Sequence, residues 1–186
     1  MAESKHRATY EDLLKLPDHV VGELIDGELI VSPRPALAYA NTASTLGGDL
    51  SGPFHKGRGG PGGWWILDEP EIHLHPEVLV PDLAGWRRER LPTLPKTAAM
   101  ELAPDWVCEV VSPSTAQVDR RRKMAIYARV QVPHVWLVDP LAKTLEVYRL
   151  EAEGWKLAAT HTADERVHVE PFSAIELELG TWWLPD

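Results

Sequence analysis

Apolar and polar residues alternate with a period of two along much of this chain, and few stretches carry a helical signal. Residues 20–25 and 28–31 are apolar-rich runs on either side of Asp26-Gly27, a pair suited to the positive φ of a tight turn, so they predict a β-hairpin. Residues 64–67, 71–74 and 78–83 predict three short strands of an antiparallel meander, punctuated by Pro70 and His75-Pro76. The run at 105–111 is apolar on both faces, as in a strand covered from both sides. Its alternation places Asp105, Val107, Glu109 and Val111 on one face and Trp106, Cys108 and Val110 on the other.

Helical signals are fewer. Thr9 followed by Asp12 marks the cap of a short opening helix that Pro17 stops. The alanine-rich segment 36–50 predicts a second helix, and residues 119–130 a third with a basic first turn. Strand 105–111, helix 119–130 and strand 134–138 have the order and spacing of a right-handed βαβ crossover. Strands at 144–150, 155–161 and 167–169 follow. Residues 85–103, interrupted by proline, are expected to be irregular, and the glycine-rich segment 57–63 a flexible connection. The pattern predicts one α/β (α+β) domain over residues 1–186, with a central mixed β-sheet flanked by helices, an amino-terminal β-hairpin, a core at about 10–150 and acidic strands at 151–186.

Composition narrows the setting. With 44% hydrophobic and 25% charged residues and no apolar run near the roughly 18 residues of a membrane span, a soluble protein with no membrane partner is expected. The amino terminus lacks a signal-like apolar core and Cys108 has no second cysteine to pair with, which points to the cytoplasm. The net charge of -9 weighs against a nucleic-acid partner, but residues 151–186 alone carry six of those charges. In the remaining body the bases cluster as Arg87-Arg88-Glu89-Arg90 and Arg120-Arg121-Arg122-Lys123. Each cluster reads either as a solvated face or as a basic rim for phosphate. The apolar end, with Trp182 and Trp183, packs on the body or on a second copy, and a homodimer is the expectation.

Three acids stand out by position. Glu109 interrupts a buried strand and needs a cation or donor there. Asp82 follows Pro81 directly and is delivered at a strand end, as a ligand or base or as a turn residue. Glu23 shares the face of Val21 and Ile25, which is either a core face or an exposed one. Lys123 and Tyr127, one helical turn apart, lie on the helix after Glu109. Two acids and a lysine suit phosphodiester hydrolysis, since hard oxygen ligands hold Mg²⁺ or Mn²⁺ and an ammonium orients water or offsets charge. His73 and His75 lack a third ligand at useful spacing, and no Gly-x-Ser-x-Gly elbow supports a serine hydrolase.

Glu23 to Glu28 (ELIDGE), Pro81-Asp82-Leu83, Pro104-Asp105 leading to Glu109-Val110-Val111-Ser112-Pro113-Ser114-Thr115, Asp119 with Lys123 and Tyr127, and Val135-Trp136-Leu137-Val138-Asp139-Pro140 occur in this order. Jointly they resemble the Uma-type family of putative restriction endonucleases, within the PD-(D/E)xK nuclease superfamily. The resemblance implies a restriction-endonuclease-like core and a Mg²⁺-dependent endonuclease acting on DNA. It implies Asp82, Glu109 and Glu23 as catalytic acids and metal ligands, with Val110 in the metal set. Lys123 replaces the strand lysine, whose usual place holds Val111. Arg87, Arg120, Arg121, Arg122 and Tyr127 are then expected to meet substrate. The competing expectation is a nuclease-fold binding module without turnover.

Overall fold

A computed structural model describes residues 7–33 and 35–185. The opening helix α1 (Tyr10–Leu13) is held at its start by Asp12, which accepts hydrogen bonds from the Thr9 N–H and hydroxyl. Asp26 and Gly27 both take positive φ, 54° and 78°, and fold β1 (Val20–Ile25) back on β2 (Glu28–Pro33). Helix α2 (Leu37–Leu50) continues through a wider π-helical turn, Ser51–His55.

The meander expected next divides between two sheets. Strand β3 (Trp64–Asp68) is followed by a hairpin of β4 (Ile72–Leu74) and β5 (Glu77–Leu79), and the hairpin leaves β3 to join the amino-terminal strands in the order β2-β1-β5-β4. The run expected as one strand at 78–83 is cut at Val80-Pro81-Asp82, where the chain crosses to the larger sheet as β6 (Leu83–Arg87). Proline cannot donate to a ladder, and its position marks the crossing. Strand β6 also occupies the start of the segment expected to be irregular, because it pairs with β3 on one side and with β7 (Trp106–Val110) on the other.

A π-helical turn, Val118–Lys123, leads into α3 (Met124–Arg129), and β8 (His134–Asp139) returns parallel to β7. This is the expected βαβ crossover. Strands β9 (Thr144–Glu151) and β10 (Gly154–Thr162) complete a mixed six-stranded sheet in the order β10-β9-β8-β7-β6-β3. A short ladder of β11 (Arg166–Val167) and β12 (Leu177–Glu178) follows.

Alternation along β7 and β8 builds two cores. Trp106, Cys108, Trp136 and Val138 pack with Leu46, Leu50 and Phe54 and with Phe172 and Trp182. Val107, Val111, Val135 and Leu137 pack with Ile126 and Tyr127 of α3 and with Ile25, Ile72 and Leu79 of the smaller sheet. The apolar tail is consumed within the chain: Trp182 is buried and hydrogen-bonds Asp49 of α2, while Thr42 and Asn41 donate to its carbonyl. Trp182 and Trp183 therefore pack on the body of the chain, while Leu184 beside them is exposed. No helix among the described residues is long and apolar enough to cross a membrane.

Candidate active site

Strand β7 is buried at every residue, so the charged side chain of Glu109 has to find its partners inside the protein. Two residues of the following helical segment provide them. Tyr127 donates its hydroxyl to Glu109 Oε1 at 2.5 Å, and the Lys123 ammonium lies 3.3 Å from Oε2. Lys123 is shared further: Glu23 Oε1 is 2.9 Å away and Asp119 Oδ1 3.4 Å. Glu109, Asp119, Lys123 and Glu23 are only 2%, 3%, 4% and 5% exposed. Val111, two residues beyond Glu109, packs in the apolar cluster of α3, so the ammonium comes from the helix.

The remaining acids arrive from the crossing between sheets. Glu23 on β1 accepts the Val80 N–H at 2.8 Å, which ties the smaller sheet to the segment before Pro81. Asp82 accepts the Val110 N–H on Oδ2 at 2.6 Å. A cavity of about 390 Å³ opens over this cluster. It is lined by Glu23, Asp82, Glu109, Val110, Asp119 and Lys123, by apolar groups of Val21, Pro35, Ala36, Tyr39 and Val80, and by Ser112, Ser114 and Thr115 of the turn after β7.

Four carboxylates thus surround one ammonium. Burial pushes the Asp82 carboxyl up to about 6, against the opposing effects of the Val110 N–H and Lys123. Burial also lifts Glu109 well above the usual carboxylate range, with Lys123 opposing and Asp119, Asp82 and Glu23 reinforcing it. For Lys123 burial acts downward, but Glu109, Glu23 and Asp119 outweigh it and hold the ammonium well above its ordinary value. Lys123 is therefore a permanent cation. It is not a base at neutral pH.

The excess of negative charge and the all-oxygen donor set fit a hard divalent cation. Among the described residues no three or more His, Cys, Asp or Glu side chains are grouped as ligands of one ion. Mg²⁺ accommodates that, since it commonly takes one or two carboxylates and keeps several waters. Asp82 and Glu109 are the two whose raised proton affinity a cation would replace. Glu23 is engaged by Lys123 and the Val80 N–H.

Residues 8–181 match the Uma2 family, described as "putative restriction endonuclease". The chain belongs to the Uma2 family. A crystal structure of a putative nuclease belonging to DUF820 from Anabaena variabilis has the same fold, with a TM-score of 0.75 at 23% identity, over 95% of this chain and 99% of that one. No curated protein matches.

In this Uma2 chain the basic run of the helix is largely occupied. Arg120 forms a two-pronged pair with Glu146 of β9 at 2.7 Å on each nitrogen. Arg122 clamps the β1–β2 turn through Asp26, Glu28 and the Ile25 carbonyl. Arg87 lies over the Trp64 ring at 4.6 Å, and Arg88 over Trp65 at 3.9 Å while donating to two carbonyls. Tyr127 is fully buried and serves Glu109. Of the residues expected to meet substrate, Arg87, Arg120, Arg122 and Tyr127 thus each have a partner within the chain, Arg120 from an exposed position, and Arg121 is also exposed. Asp119 was absent from the expected site, although its i, i+4 spacing from Lys123 is visible in the sequence. Cys108 faces the opposite core and is buried, with its thiol pushed up by burial.

Proposed function

We propose that this Uma2 chain is a metal-dependent endonuclease that hydrolyses phosphodiester bonds in DNA. The observation that carries the reading is the shared, buried ammonium of Lys123 among Glu23, Glu109 and Asp119, beside Asp82 at one cavity. Asp82 and Glu109, with the backbone of Val110, would hold Mg²⁺, and Mn²⁺ would substitute. When bound, such an ion polarises the phosphodiester and lowers the pKa of a coordinated water.

The chain's own groups divide the remaining work. The Val110 N–H fixes one oxygen of Asp82, and Tyr127 fixes one oxygen of Glu109, so both carboxylates are oriented before any ligand arrives. Lys123 stays protonated and donates hydrogen bonds, which suits it to orient a water or to offset negative charge on the phosphate. Glu23 and Asp119 hold that ammonium in place. In the reaction water adds to phosphorus, one P–O ester bond breaks, and the products are a phosphomonoester and an alcohol.

The experiment is nicking of supercoiled plasmid and cleavage of single-stranded DNA with Mg²⁺ or Mn²⁺. Cleavage by the native chain and its loss in Asp82→Ala and Lys123→Ala is the expected result. Unchanged activity in both variants contradicts the assignment, and metal binding without any cleavage leaves a nuclease-fold binding module.

A further inference from the structure

Three acids of this site, Glu23, Glu109 and Asp119, are buried beneath a cavity with Asp82 partly exposed beside them, and that depth bears on what can reach them. Glu109, Glu23, Asp119 and Lys123 are each at least nine-tenths buried, and the enclosing space of about 390 Å³ is near the lower end of the roughly 300–1,000 Å³ common for small-molecule cavities. That is room for about one nucleotide. Phosphates of an intact duplex lie along a wide, stiff cylinder that is costly to bend, so the buried Glu109 is approached more readily by a strand free to leave its helix.

The lining agrees. Five acids face the cavity (Glu23, Glu69, Asp82, Glu109 and Asp119), and Lys123, already paired with three of them, is the one cation among the described lining residues. Duplex binding draws on several simultaneous phosphate contacts. The arginines nearest in sequence, Arg120 and Arg122, are committed to Glu146 and to the β1–β2 turn. A lining that presents five acids repels a two-stranded polyanion but tolerates a single phosphate brought in with a metal ion. Apolar groups also line the cavity, Val21, Ala36, Val80 and the ring of Tyr39, the kind of surface on which an unstacked base rests.

Resting on the nuclease reading above, we infer that the substrate is an unstacked nucleotide, in a single strand or bulged out of a duplex, whose base lies on the Tyr39 side of the cavity while its phosphate reaches Asp82 and Glu109. Fully paired duplex is then a poor substrate.

Cleavage rates on three oligonucleotides of one sequence test this: single-stranded, fully paired, and paired with one bulged nucleotide, each with Mg²⁺ and with Mn²⁺. The single strand and the bulge are expected to be cut at least tenfold faster than the paired duplex. Ala36→Phe, which adds bulk to the apolar lining from an exposed position, is expected to lower both fast rates at least fivefold without shifting the thermal midpoint. Paired duplex cut as fast as the single strand, or fast rates unchanged in Ala36→Phe, overturns the inference and leaves the nuclease reading standing. No cleavage of any of the three overturns both.

Discussion

Asp82 accepts the backbone N–H of Val110 at 2.6 Å, and through this bond the acid that follows the sheet crossing is fixed beside the strand residue next to Glu109. A backbone donor cannot swing away, so the relation between the two acids is set by the β6–β7 pairing. The expected effects of changing the site follow from what each partner loses.

Asp82 makes the metal-free protein less stable as pH rises. Its carboxyl stands at about 6 in the folded chain against 3.8 for the free group, so between those values the folded state binds more protons than the unfolded one. Stability then falls from about pH 4 to about pH 6. Asp82→Asn keeps an acceptor for the Val110 N–H and removes this dependence. Without divalent ions the variant should gain on the native chain over that window, by on the order of 1–2 kcal/mol once partial exposure of the group is allowed for. Thermal midpoints measured at half-unit pH steps check this, and a constant difference between the two proteins contradicts it.

Mg²⁺ should stabilise the native chain and leave Asp82→Asn nearly unmoved. Ligand at 100 times its dissociation constant adds about 2.7 kcal/mol. Thermal midpoints with Mg²⁺ titrated from micromolar to millimolar concentrations provide the readout, with Ca²⁺ and Na⁺ as controls for general ionic effects.

Lys123→Met leaves Glu23, Glu109 and Asp119 buried without their shared cation. Removing one partner of a buried charge cluster costs about 3–5 kcal/mol. The remaining carboxyls recover neutrality by taking up protons, so the deficit relative to the native chain should shrink as pH falls from 7 to 5. Denaturant unfolding at the two pH values decides it.

Tyr127→Phe removes the hydroxyl that Glu109 accepts in a buried setting. A hydrogen bond to a charged group contributes about 1.5–3 kcal/mol, and the unfolding free energy should fall by that amount. Cleavage should also fall, through a less firmly oriented Glu109, with the loss in kcat greater than the change in KM.

Arg122→Ala and Arg120→Ala separate structural arginines from phosphate contacts. Arg122 ties α3's leading turn to the β1–β2 turn, and its loss should cost about 1 kcal/mol of stability. Neither substitution should change the salt dependence of DNA binding, whereas a lost phosphate contact would reduce that slope by about one. Fluorescence anisotropy over a range of salt concentrations gives the slope.

Much of this site can be traced to local sequence. The Asp26-Gly27 turn, the alternation that puts Glu109 opposite Cys108, and the spacing of Lys123 and Tyr127 are short-range features, and each places its residue where the fold has it. What escaped is long-range. Pro81 looks the same whether it ends a strand or carries the chain between sheets, and only the pairing of β5 with β1 and of β6 with β3 distinguishes these. The arginines read as a basic rim because Glu146, Asp26 and Glu28, which neutralise them, lie 26 to 96 residues away in the chain. Asp119 stands among the motif residues, but its neighbours Arg120 to Lys123 give the segment the pattern of a solvated basic turn and hide its place in the site. Its burial arises only when the π-helical turn packs on β7 and β1.

The most direct measurement is anomalous diffraction from crystals soaked in Mn²⁺. A single peak within coordination distance of carboxylate oxygens from both Asp82 and Glu109, absent in Asp82→Asn crystals, is the predicted result. No peak in the cavity at saturating Mn²⁺, or a peak held by other residues, would contradict the assignment of these two acids as the metal site.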